Sequence, residues 1–111
     1  MRAVADELLQ EMTRVIVQAI NPRQVILFGS YAQGKAGANS DLDFLIVQDQ
    51  PFPAEQGRRQ QMAKLWRLLA HYPVSQDFLI YTPEEVEHWG TTKNHVIAHA
   101  LREGKVLYKR N

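Results

Sequence analysis

The chain has 111 residues, with 13 Lys and Arg against 12 Asp and Glu, a formal net charge of +1 and 45% hydrophobic residues. That balance excludes a disordered chain and a strongly basic nucleic-acid binder, and the length suits one small domain spanning residues 1–111. With no cysteine, disulfides and thiolate metal sites are excluded.

From Arg2 to Ile20 the apolar residues Val4, Leu8, Leu9, Met12, Val15, Ile16, Ala19 and Ile20 recur at helical spacing, and Asn21-Pro22 ends the pattern. Val25 to Phe28 is a short apolar run, a strand buried on both faces, running into Gly29-Ser30. The glycine-bearing stretch from Gly29 to Ser40 predicts loop or a single helical turn. Asp41 to Val47 then predicts a second buried strand whose first residues are acidic. After a connection from Asp49 to Pro53, Ala54 to His71 predicts a helix with Met62, Leu65, Trp66 and Leu69 on its core face. Val74 to Tyr81 alternates as a third strand, and Thr82-Pro83-Glu84-Glu85 is a capping box opening a short helix. A last helix is expected from about Lys93 to Glu103, stopped by Gly104, with Val106-Leu107-Tyr108 as a short edge strand. The apolar runs are too short to span a bilayer, and the acidic first dozen residues do not suit a signal peptide. A soluble cytoplasmic protein is the expectation.

Residues two apart in a strand share a face, so Asp41 and Asp43 are expected side by side. Two carboxylates about 4 Å apart repel by about 4 kcal/mol at an effective dielectric near 20. A shared proton, arginine partners or a divalent cation would relieve this, and hard oxygen donors favour Mg²⁺ or Mn²⁺. Gly29-Ser30, leaving a strand for a turn, offers backbone N–H groups and a hydroxyl to an anion. Asp77, among Val74, Phe78, Leu79 and Ile80, is a candidate third ligand or general base, on the reasoning that a carboxylate among core residues needs a partner. A phosphate cradle beside paired carboxylates is the equipment of metal-assisted phosphoryl or nucleotidyl transfer.

Two rival motifs fail on single residues. Gly29 to Ala36 has the glycines and lysine of a P-loop but ends in Ala36, where Ser or Thr is needed for Mg²⁺. His95-Val96-Ile97-Ala98-His99 has the spacing of a zinc-protease helix but Val96 where the glutamate belongs.

Gly29-Ser30, Gly34, Ser40, Asp41, Asp43 and Val47, followed by Asp77, resemble the signature of the DNA polymerase beta-like nucleotidyltransferase superfamily, and most closely the minimal nucleotidyltransferases of the MNT antitoxin type. The resemblance implies an α+β, two-layer fold with a palm-like mixed sheet of three to four strands and packed helices. It implies ATP as substrate and Mg²⁺, two ions, as cofactor. Asp41, Asp43 and Asp77 would be the metal-holding and catalytic carboxylates, with Gly29, Ser30, Lys35 and Ser40 around the triphosphate. Tyr31 and Gln33 stand where relatives often have arginine, which leaves Lys35 as the loop's cation. The implied activity is AMP transfer from ATP to a tyrosine hydroxyl of a partner HEPN toxin in a hetero-oligomer, with no membrane and no direct nucleic-acid binding. The competing class is a binding module that neutralises its partner by association alone.

Overall fold

A computed structural model describes residues 6–29, 32, 41–49, 55–92 and 95–110. Eight elements follow in chain order: α1 (Asp6–Ile20), β1 (Gln24–Phe28), β2 (Leu42–Val47), α2 (Glu55–Leu69), β3 (Gln76–Tyr81), α3 (Pro83–Trp89), α4 (Val96–Glu103) and β4 (Lys105–Lys109). The strands form one mixed sheet in the order β3-β2-β1-β4. β1 is antiparallel to both β2 and β4, whereas β2 and β3 are parallel. The parallel pair requires a crossover, and α2 lies within that connection.

The expected α+β architecture with a mixed sheet and packed helices is present, and helices meet both sheet faces. On one face, Leu9, Met12 and Ile16 of α1 and Leu65 and Leu69 of α2 pack with Val25, Leu27, Phe44, Ile46, Phe78 and Ile80. Phe44 and Phe78 stack with ring centroids 5.5 Å apart. The opposite face is smaller: Ile97 and Ala100 of α4 cover Ile26 and Leu45, with Phe28, Leu79, Tyr81 and Val86 at the margin. Covering both faces explains why β1 and β2 read as continuous apolar runs rather than alternating ones.

Local chemistry sets the ends. Asn21 adopts φ +48 and donates its N–H to the Val17 carbonyl at 2.9 Å, so a left-handed cap closes α1 before Pro22 is reached. The capping box of α3 is complete: the Thr82 hydroxyl accepts from Glu85 N–H, and a Glu85 oxygen accepts from Thr82 N–H at 2.9 Å. Arg58 joins it, donating to the Glu85 carboxylate at 2.6 Å and to the Ile80 carbonyl at 3.2 Å. At the other end of the chain, Arg110 pairs with Asp49 and donates to Asn21.

Three expectations change. Trp66 is not in the core: it is 51% exposed, and among the described residues of that helix Leu65 and Leu69 are the ones fully turned inward. β3 starts at Gln76 rather than Val74, since Val74 N–H closes a turn onto the Tyr72 carbonyl and the Gln76 side chain donates to the Leu69 and Val74 carbonyls. α4 starts at Val96 with His95 as its cap, Nδ1 accepting from Ile97 N–H at 3.1 Å. As expected, Gly104 closes α4, in an extended conformation where a Cβ would meet the Leu27 carbonyl and Ile26. No helix among the described residues is long and apolar enough to cross a membrane.

Candidate active site

The sheet register brings the acidic residues together. Phe28, the last residue of β1, is opposite Asp43 of β2, and Asp43 is paired with Asp77 of β3. Adjacent strands are about 4.8 Å apart, so the two carboxylates leave neighbouring backbones side by side. Both belong to the sheet face of Leu45 and Leu79, since Leu42, Phe44 and Phe78 turn to the α1 and α2 side. Asp41 lies one residue before β2 and is exposed. Buried Leu42 follows it, its N–H held by the Ser75 carbonyl at 2.8 Å, which keeps Asp41 and Asp43 in phase.

Gly29 shapes the floor of this site. Its φ of +78 suits glycine, and a Cβ there would lie 2.4 Å from an Asp43 carboxylate oxygen. Glycine thus lets the carboxylate rest against the turn leaving β1. Local sequence pattern carries no sign of this contact with Asp43.

Asp43 is half-buried, and its pKa is pushed up from 3.8 to about 6 by burial, then by the charge of Asp77, then by that of Asp41. Asp43 is therefore within electrostatic reach of both other carboxylates. Asp77 departs from its expected setting. It is exposed rather than enclosed by core residues, and its Oδ1 accepts from the Phe78 N–H at 3.0 Å. It stands at the first turn of the pleat, outside the apolar layer that begins at Phe78, so burial is not what calls for a partner; the neighbouring Asp43 is. Among the described residues no group of three or more His, Asp or Glu side chains is gathered into a ready-made metal cage. The donor set nevertheless fits a hard divalent cation: oxygen ligands only, like charges in adjacent register, and one of them partly desolvated. Ser30, Lys35 and Ser40, together with the helical turn expected around Tyr31 and Gln33, lie outside the described residues.

The family model described as polymerase beta, nucleotidyltransferase, matches residues 10–111. The chain belongs to that nucleotidyltransferase family. Among solved structures, this nucleotidyltransferase resembles a toxin–antitoxin assembly determined with AMP-PNP, at 20% identity and TM-score 0.58, over 91% of this chain and 73% of that one. It also resembles a nucleotidyltransferase of Sulfolobus solfataricus, at 17% identity and TM-score 0.63, over 94% of this chain and 79% of the other. A mutant of the toxin–antitoxin pair MntA-HpeT is similar at 17% identity and TM-score 0.56, over 91% and 73%. At such identities the likeness establishes the fold. No curated protein matches in sequence.

Proposed function

We propose that this nucleotidyltransferase is an ATP- and Mg²⁺-dependent protein adenylyltransferase that acts as an antitoxin, moving AMP onto a tyrosine hydroxyl of a partner HEPN toxin. The observation that carries the reading is the register Phe28–Asp43–Asp77 beside Gly29, in a chain of this family. The toxin–antitoxin assemblies that share the fold, one of them determined with AMP-PNP, support the choice of nucleotide and partner.

In this reading Asp41 and Asp43 would hold two Mg²⁺ ions, with Asp77 as third carboxylate. Bound Mg²⁺ neutralises charge on the triphosphate and on the phosphorus under attack. Gly29 and Ser30 cradle the phosphates, with Lys35 and Ser40 completing the anion site. Asp77, exposed at the rim, takes the proton of the tyrosine hydroxyl as its oxygen bonds to the α-phosphorus of ATP. The bond to the β-phosphate oxygen breaks, pyrophosphate leaves, and AMP remains on the tyrosine. The reading sets the reaction in the cytoplasm, where ATP and Mg²⁺ are abundant.

The test is incubation with α-labelled ATP, Mg²⁺ and the protein encoded beside this chain. Label is expected on that protein, and its loss to background in the Asp41→Asn, Asp43→Asn double variant. Undiminished transfer by the double variant would remove the acids from the mechanism. Silencing of the partner without any transfer would leave association as the mode of action.

A further inference from the structure

Helical spacing assigns Trp66 to the core, yet half of it lies in solvent. It belongs to a stripe on the outward side of α2, where Arg59, Ala63 and Trp66 follow at four- and three-residue steps, with Ala70 just past the helix end. Ala63 and Ala70 are small, so the indole stands proud of its surroundings. Arg67, next to Trp66 in sequence, is exposed on the outward side as well. No Asp or Glu occurs between Gln56 and Ala70, so the only charges on that stretch are cations. Arg58 is engaged with Glu85, and Lys64 donates to the Ala19 carbonyl at 3.0 Å. Arg59 and Arg67 form no salt bridge with another described residue.

We propose that this outward face of α2 is the docking surface for the partner protein, with Trp66 seated in an apolar pocket of the partner and Arg59 and Arg67 against acidic residues at the pocket's rim. Interfaces concentrate their energy in buried Trp and Arg anchors within a polar rim, and this face presents both residue types together. The charge selects the occupant. A second copy would set its own arginines against these, since a symmetric contact repeats the same patch on both sides. A nucleic acid would call for a row of cations along its phosphates, whereas here two arginines flank a tryptophan on a chain of net charge +1. An acidic protein surface with a hydrophobic pocket satisfies both the indole and the guanidinium groups.

The inference rests on the reading of a toxin partner and names where that partner sits. The experiment measures binding of the protein encoded beside this chain to the wild type, to Trp66→Ala, to the Arg59→Glu, Arg67→Glu double variant, and to Leu101→Ala as an exposed apolar control elsewhere. Circular dichroism confirms that each variant is folded. Trp66→Ala is expected to weaken binding at least about 30-fold, the loss typical of an interface anchor. The double arginine variant is expected to weaken it and to flatten its salt dependence, with Leu101→Ala unchanged. Tight binding unaffected by the α2 variants overturns the surface while leaving the partner reading intact. No binding by the wild type overturns both. Binding of a mixed-sequence single-stranded RNA that these same variants abolish would assign the face to nucleic acid and overturn the proposal.

Discussion

Asp43 is under opposing demands, because the register that makes it useful to a cation makes it costly without one. Its carboxyl ionises near 3.8 in the unfolded chain and near 6 in the fold. The fold therefore binds that proton more tightly, and the resulting stabilisation, complete below about 3.8, is lost as pH rises through about 6. Asp43→Asn is accordingly expected to raise the melting temperature of the metal-free protein at pH 8 and to leave it almost unchanged at pH 4; an equal gain at both would assign the effect to something other than ionisation. Gly29 poses the complementary test. Gly29→Ala places a side chain in a left-handed conformation, at about 1–2 kcal/mol, and against the Asp43 carboxylate. In chemical denaturation its cost is expected to shrink when Asp43→Ala is also present, and strict additivity would show that the contact does not matter. Local spacing carries the parity of Asp41 and Asp43, and Asp77 joins them in the sequence only as a lone acid among apolar residues and through the family resemblance. That Asp77 is the neighbour of Asp43 depends on strand register, which is decided by packing across α2 and is not written in any local pattern.

At the scale of elements, the readable signals were those of backbone hydrogen bonding within a few residues. The box at Thr82 and Glu85, the stop at Gly104 and the apolar runs of β1 and β2 are all local, and all are present. What was misplaced depended on distant partners: Trp66 follows the helical period of the core face, yet its orientation is settled by where the sheet and α1 lie. Arg58 illustrates the same limit, reaching from α2 to the cap of α3. Burial alone would raise the Glu85 pKa, but hydrogen bonds from Arg58 and from Thr82 N–H, with the Arg58 charge, bring it below its ordinary 4.5. A depressed carboxylate stabilises the fold above its unfolded pKa and loses that contribution as pH falls through the folded one. Glu85→Gln is thus expected to lower the melting temperature at pH 7, and the gap is expected to close as pH falls below 4.5. A gap independent of pH would mean that the amide fails for steric reasons rather than for lack of charge.

For the molecule as a whole, a cation held only in the folded state must add to its stability, by about 2.7 kcal/mol when its concentration is a hundred times its dissociation constant. Mg²⁺ is expected to raise the melting temperature of the wild type, and to raise that of the Asp41→Asn, Asp43→Asn variant far less. Equal shifts would place the binding elsewhere on the surface. The strand order β3-β2-β1-β4 has a further consequence, for the order of events in folding. β1 and β2 are antiparallel neighbours in sequence, whereas β3 reaches β2 only after α2 has crossed over. Asp43 and Asp77 are therefore brought together by a pairing less local than β1–β2, though more local than that of β1 with β4, and slower to form than the first. The site is an assembly marker: a half-folded chain with β1 and β2 already zipped carries Asp41 and Asp43 without Asp77, and only closure of the crossover completes the set of three acids.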